Sequence, residues 1–503
     1  MFTNYIKKIL DARIYDLAIE TPINHMELLS DQYSNNIYVK REDLQPVHSF
    51  KIRGAYNKID KLSDTDKEKG VIAASAGNHA QGVALAAMKK KIKATIVMPK
   101  TTPEIKVDAV RSYGANVELF GDNFDEAYDY ACKLQKEHKY VFIHPYDDKD
   151  VIAGQGTIGM EIARQVSIPP EAIFIPVGGG GLISGIAYYI KYLWPEVKII
   201  GVESEDSACL YQALKKNRRV ILDSVGIFAD GVAVKQIGKE PYKIAKKYVD
   251  EVITVKTDEI CAAIKDLFND NRSIAEPAGA LSIAGLKKYI EKYKITDKNL
   301  LAIETGANVN FDRLRLISER ADLGENKEAL FAVTIKEEPG SFKSFCKTLA
   351  NYNITEFNYR YSDNEKANIF VGLQLSDITH KENIINNIKE DHYSVIDLSD
   401  NELAKLHARH MVGGHLTKEM NEEIFRFQFP ERSGALADFL NQMKDNWNIT
   451  MFHYRNHGTD YGRVFLGIQI PPEEQILFNK FLKQINYRYH REKDNPVYSL
   501  FLN

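Results

Sequence analysis

Between Gly70 and about Ser204, short apolar runs alternate with helical periods. Val71–Ala74, Ala94–Met98, Val117–Phe120, Val141–Ile143, Ile173–Val177 and Ile199–Val202 each read as a buried strand. The clearest helix between them places Phe124, Ala127, Tyr128, Ala131 and Leu134 on one face by three-and-four spacing. Strands alternating with helices predict crossover units and a parallel sheet covered on both faces, an α/β architecture. In such sheets ligands bind at the loops that follow the carboxyl ends of the strands.

After Arg320 the pattern changes. Residues 321–328 are polar and contain Gly324, which predicts a linker. Beyond it the chain reads strand, helix, strand, strand, helix, strand, and then does so again. Phe357-Asn-Tyr-Arg360 recurs as Phe452-His-Tyr-Arg455, and Phe370-Val-Gly372-Leu-Gln374 as Phe465-Leu-Gly467-Ile-Gln469. The matched positions are 95 apart in each case (454 − 359, 465 − 370, 469 − 374). The glycines after each first strand, Gly340 and Gly434, are 94 apart (434 − 340). Equal offsets in separate motifs predict a duplicated α+β unit of ferredoxin-like order, at 329–402 and 424–503, behind a first domain at 1–320.

With 503 residues, two to four domains are expected. A net charge of −3 excludes a bulk attraction to nucleic acid or to an anionic membrane, and no apolar run is long enough to span a bilayer. The first ten residues lack the apolar segment of a secretion signal. Cys132, Cys209, Cys261 and Cys346 stand singly, without zinc or redox spacing, so a cytoplasmic location is expected.

Four segments carry candidate chemistry. In Ser49-Phe-Lys51-Ile52 a lysine stands between apolar residues, the setting in which an amine loses its proton readily and can form a Schiff base. A lone lysine is ordinarily a surface residue; this one is singled out by its company. Ser75-Ala76-Gly77-Asn78-His79 follows an apolar strand and opens an alanine-rich helix, so its small residues let backbone N–H groups approach an anion such as a substrate carboxylate. Gly178-Gly179-Gly180-Gly181 follows the run Ile173–Val177 and precedes a helix beginning near Leu182, the arrangement of a phosphate cradle. A dinucleotide loop would need a glycine where Ile183 or Ser184 stands. A nucleotide loop would need Gly-Lys-Ser/Thr, but Gly238-Lys239 is followed by Glu240. Glu304-Thr305-Gly306-Ala307-Asn308 ends another apolar strand, and the Thr305 hydroxyl could bond a ring nitrogen. His407, His410 and His415 resemble metal spacing but fall in an irregular connection and read as solvated.

Together these motifs resemble the biosynthetic threonine dehydratases (threonine deaminases) of the tryptophan-synthase-β-like class, and the resemblance runs over nearly the whole chain. It implies a two-lobed catalytic domain of pyridoxal-phosphate fold type II, with a small lobe at about 40–150, followed by two ACT-like regulatory units. It further implies pyridoxal 5'-phosphate on Lys51, with Asn78 at its ring hydroxyl and Gly178, Gly179, Gly180, Gly181 and Leu182 at its phosphate. Thr305 falls where relatives carry serine or cysteine opposite the ring nitrogen. A neutral hydroxyl there favours prompt loss of a β-substituent over transamination. The implied reaction takes L-threonine, and secondarily L-serine, to an oxoacid (2-oxobutanoate from threonine) and ammonia. Isoleucine is implied as inhibitor and valine as the opposing effector, with contacts at Tyr359 and Tyr454, in a homotetramer. Serine racemases are similar in the core but use a serine base where this chain has Ala76. Their divalent-metal loop needs an acid where it has Cys209, although Glu203 is present; no metal is expected.

Overall fold

The computed structural model describes residues 2–121, 123–226, 228–311, 313–360, 365–376, 378–401, 404–405, 409, 422–430, 435–444, 447–455, 461–485 and 487–492. They fall into two compact units, Met1–Ala321 and Asp322–Asn503.

The first unit is built on two sheets. The smaller is four-stranded and wholly parallel, in the order Asn116–Leu119, Ala94–Met98, Val71–Ala74, Val141–Phe142. Its two central strands are buried at every residue, as continuous apolar runs require. The larger sheet runs Ile23–His25, Asn36–Arg41, Asn299–Glu304, Ala172–Pro176, Lys198–Ser204, Glu251–Val255, and only the short first strand pairs antiparallel. The expected run Val117–Phe120 begins one residue earlier and stops before Phe120. That ring is half out of the structure and stacks on Tyr130 at 4.0 Å instead of entering the sheet.

The linker expected at 321–328 is replaced by ordered elements. A helix covers Arg313–Gly324 and a strand begins at Glu328, leaving only three residues between. Polarity alone suggested a linker, but Ile317 and Ala321, four positions apart, are both buried in the first unit's core and hold the helix there.

The second unit repeats its element order. Glu328–Lys336 pairs antiparallel with Lys366–Gln374, and Glu422–Pro430 with Tyr461–Gln469, in the same register. The two repeats join through Ile354–Arg360 and Asn448–Arg455, where Phe357 lies opposite Tyr454 and Tyr359 opposite Phe452. One eight-stranded antiparallel sheet results. Helices of both repeats bury a single aromatic core that includes Phe331, Phe345, Phe357, Phe427, Phe439 and Phe452. The duplication extends to polar detail: Thr355 donates to Glu328 and Thr450 to Glu422. Gly372 and Gly467 are the positions where a Cβ would strike these pairs.

Candidate active site

Lys51 opens the helix Lys51–Asp60, and the chain before it is tied to the strand end that carries Thr305. Ser49 bridges Gly306, and the Phe50 N–H donates to the Thr305 carbonyl at 3.2 Å. From the other side helix Asn78–Lys90 comes close enough that a Cβ on Gly82 would sit 3.2 Å from the Lys51 carbonyl carbon. The Lys51 amine reaches the Pro145 carbonyl at 3.5 Å and lies 5.0 Å from the Phe50 ring centre. Burial pushes this amine down to about 8, with the Glu276 carboxylate pulling the other way. Such an amine yields free base at a pH where an ordinary lysine is charged.

The four glycines form the turn between strand Ala172–Pro176 and helix Gly181–Leu193. Gly180 has a left-handed backbone, with φ of 88°. A Cβ at Gly179 would fall 2.2 Å from the Tyr146 ring, and one at Gly178 3.0 Å from Val232, so side chains are excluded. The carbonyls of Gly179 and Gly180 accept bonds from Gly238 and Ser184. A bare backbone at a helix N-terminus is a site for a phosphate. Tyr146 links this turn to the lysine, because it follows the Pro145 that Lys51 meets.

Asn78 begins the helix Asn78–Lys90. Its amide nitrogen donates to Glu276 Oε1 at 2.6 Å, and its oxygen accepts from Asn308 at 2.8 Å. Before it, Ser75 Oγ accepts from the Gly77 N–H at 3.3 Å, and a Cβ on Gly77 would meet nothing within 4 Å. The loop is therefore open on the Gly77 side, while Ala76 packs against the core that includes Val71, Ala73 and Ile96 of the smaller sheet. The His79 ring is buried and bonded to the Ile143 carbonyl at 2.8 Å. Burial and then the Lys51 charge push its imidazole down to about 3, which leaves it a neutral structural group rather than a proton donor. The Thr305 hydroxyl donates to the Ala278 carbonyl at 3.2 Å. Both Glu203 oxygens accept backbone N–H groups, from Leu210 and Tyr211, at 2.8 Å.

Residues 14–306 match the family described as pyridoxal-phosphate dependent enzyme. Residues 319–408 and 413–502 each match the C-terminal regulatory domain of threonine dehydratase. The chain is 51% identical over 502 residues to the biosynthetic L-threonine dehydratase of Burkholderia multivorans, covering 99% of both chains. It is 50% identical to that of Escherichia coli, covering 99% of this chain and 97% of the other. This chain belongs to the biosynthetic threonine dehydratase family. Among solved structures, the processed form of threonine deaminase isoform 2 from Solanum lycopersicum is 48% identical with a TM-score of 0.63. It covers 64% of this chain and 93% of its own. A maize serine racemase is 31% identical with a TM-score of 0.59, over 62% of this chain.

This threonine dehydratase chain is therefore a pyridoxal-phosphate-family enzyme with a duplicated regulatory domain. Within its first unit the structure brings Asn78 and the Lys51 charge to one buried acid, Glu276. It ties Thr305 to the chain before the lysine through the Phe50 N–H, and sets the glycine turn beside the lysine through Tyr146. Three of the residues that build the site were given no part by the sequence reading. Glu276 follows Ala275 and precedes Pro277, which looks like an ordinary helix start. Asn308 lies inside a motif singled out for its threonine. Tyr146 follows a His-Pro pair whose role only the glycine contact reveals. Tyr359 and Tyr454 fall in the second unit. The Tyr359 hydroxyl meets the Glu337 carboxylate at 2.8 Å, its ring lies 5.2 Å from that of Phe342, and Tyr454 packs against the same core. His407, His410, His415 and Gly434 lie outside the described residues. Among the described residues no helix is long and apolar enough to cross a membrane.

Proposed function

We propose that this chain converts L-threonine to 2-oxobutanoate and ammonia by α,β-elimination of water, with pyridoxal 5'-phosphate held on Lys51 and L-serine as a second substrate. The observation that carries the reading is a buried amine of lowered proton affinity one residue contact away from a glycine turn that admits no side chain. Those features fit the cofactor: an amine to hold its aldehyde, a bare helix start for its phosphate and a neutral hydroxyl for its ring. When bound, the cofactor withdraws electrons from the substrate's α-carbon, which no side chain here can do. Lys51 would hold it, and the same amine, when free, would take the α-proton. The backbone N–H groups of Gly178, Gly179, Gly180, Gly181 and Leu182 hold the phosphate. The Ser75 hydroxyl and the backbone N–H groups of Ala76, Gly77, Asn78 and His79 take the substrate carboxylate, on the side that Gly77 leaves open, while the Ser75 N–H stays bonded to the Val97 carbonyl. The test is oxoacid release from threonine by the purified full-length chain; a chain with bound cofactor and no release sinks the reading.

Thr305 sets the ring's charge in this scheme. Thr305→Ser keeps the hydroxyl and retains most activity. Thr305→Asp places an anion there, favours a protonated ring, and lowers kcat by about tenfold or more, ~1.4 kcal/mol in barrier. Equal kcat in the two variants would remove Thr305 from the ring.

The same reading makes isoleucine the inhibitor and valine its opponent, both bound by the duplicated regulatory domain of a cytoplasmic homotetramer. Support comes from the two matched regulatory repeats and from the strands that set Tyr359 and Tyr454 across from the partner repeat's phenylalanines. A coupling of about 1–3 kcal/mol is ordinary for such control. Tyr359→Ala or Tyr454→Ala should therefore raise the isoleucine concentration for half-inhibition by about fivefold or more, with uninhibited turnover nearly unchanged. Inhibition curves that superimpose on the wild type would show that neither tyrosine serves the effector.

A further inference from the structure

One buried acid stands in the middle of the site without a part in the chemistry above. Glu276 precedes helix Pro277–Tyr293 with its backbone held on both sides. Its N–H donates to the Gly306 carbonyl at 3.0 Å, and its own carbonyl accepts from the Gly279 N–H at 2.8 Å. The residue is 6% exposed. Glycines make room for its carboxyl: a Cβ at Gly306 would lie 2.9 Å from Oε1, and one at Gly231 3.5 Å from it.

The hydrogen bonds around Glu276 have only one consistent assignment. The Val47 carbonyl can only accept, so the Asn308 group facing it at 2.8 Å is the amide nitrogen. That same nitrogen also reaches Asn78 at 2.8 Å, which must present its oxygen. The Asn78 nitrogen then faces the Glu276 carboxylate, again an acceptor, at 2.6 Å. Of the two N–H bonds on Asn78, one is used and one is left.

The charges that face Glu276 come from three elements. Lys51 stands on helix Lys51–Asp60, Lys106 on helix Glu104–Arg111 and Asp230 on the turn Asp230–Val232. Lys106 and Asp230 pair with each other at 2.8 Å, and Asp230 also meets Arg313 at 3.3 Å. Lys106 already has Asp230 as its partner. Lys51 stands two residues beyond Ser49, whose Cβ would lie 3.0 Å from a Cβ on Gly306, just as Glu276 Oε1 would lie 2.9 Å from it. Lys51 is the cation left to Glu276.

We propose that Glu276 is a positioning residue for the reaction assigned above, on which this inference rests: its carboxylate locks the Asn78 amide in one orientation, leaving one N–H for an anionic oxygen of the bound cofactor, and sets a negative charge against Lys51. Burial, with Asp230 adding to it, pushes the carboxyl up to about 7, so the charge is present above neutrality.

Two substitutions separate the two roles. E276Q keeps an oxygen that can accept from Asn78 but removes the charge; E276L removes both. The full-length chain is loaded with pyridoxal 5'-phosphate and its visible absorbance followed between pH 6 and 10. Loss of an anion beside a protonated nitrogen disfavours the protonated form, so the E276Q midpoint should fall by about one pH unit or more, tenfold in proton affinity. E276L should add weaker uptake, with about tenfold more cofactor needed for half-maximal absorbance, because the Asn78 amide is no longer held. A part in folding alone would change the yield of folded protein and leave the midpoint in place. An E276Q midpoint equal to that of the wild type overturns the proposal, and it decides alone if E276L does not fold. A wild-type chain that takes up no cofactor overturns the underlying reading instead, and this one with it.

Discussion

Lys51→Ala loses the visible absorbance of the bound cofactor, and its threonine turnover falls by about 10³-fold or more. The size follows from two duties falling on one amine. In the proposed scheme it is the attachment point and also the base for the α-proton, a duty worth about 10²–10⁴-fold by itself. Its environment suits the second duty. Burial brings the amine down to about 8. At that pH roughly half of it is free base, against roughly one part in 250 for a lysine at the usual 10.4. Lys51→Arg retains the positive charge and much of the length, but a guanidinium does not lose its proton in proteins, so it should fail equally. Both variants should keep their far-ultraviolet circular dichroism, because Ile52, Arg53 and Tyr56 bury the helix independently of the lysine. Retained absorbance in Lys51→Ala would move the attachment to another lysine.

Where side chains are all apolar or absent, the sequence was readable at the level of single residues. Val71–Ala74 and Ala94–Met98 are strands with the expected bounds because each is an unbroken apolar run between polar turns. The glycine turn was visible because a backbone approached this closely tolerates nothing else, as the Tyr146 ring at Gly179 demonstrates. The repeat was visible because two copies of one unit keep one spacing, and their strands do pair residue for residue in matching register. Polar residues that are buried proved harder. Asn36–Arg41 lies inside the larger sheet, yet Lys40 and Arg41 within it look like surface residues until their partners are known. Glu276 and Asn308 are far apart in the chain, and only the fold brings them to the two ends of one amide. The expected linker failed for the converse reason, since a mostly polar stretch still places Ala321 one helical turn beyond Ile317 in the core.

Arg53→Leu should destabilise the first unit by about 3–5 kcal/mol, the cost of leaving buried charge without its partner. Arg53 stands two residues beyond Lys51 on the same helix and is completely buried. Its guanidinium bonds Glu42 twice at 2.7 Å, Glu161, Thr157 and the Ile19 carbonyl, so all its donors are used. Lys40, equally buried, bonds Glu161 at 2.6 Å together with the Thr21 carbonyl and Gln165. Two cations thus balance two carboxylates, and the leucine variant leaves two carboxylates facing one lysine. The pH dependence separates this cause from simple loss of packing. Burial alone would push Glu161 up, but Arg53 and Lys40 outweigh it and hold its carboxyl below the usual range. That stabilisation is present above the unfolded value near 4.3 and is lost as pH falls through the lower folded value. In the variant the sign reverses. An uncompensated buried carboxylate takes a raised pKa, so its charge penalises the fold at high pH and the penalty fades as it protonates. The loss relative to wild type should therefore be larger at pH 8 than at pH 5. Trp194 and Trp447 are the only tryptophans, so in a Trp447→Phe background the fluorescence of Trp194 reports the first unit's denaturation midpoint alone. A loss of the same size at both pH values would assign the effect to packing and leave the charge balance without consequence.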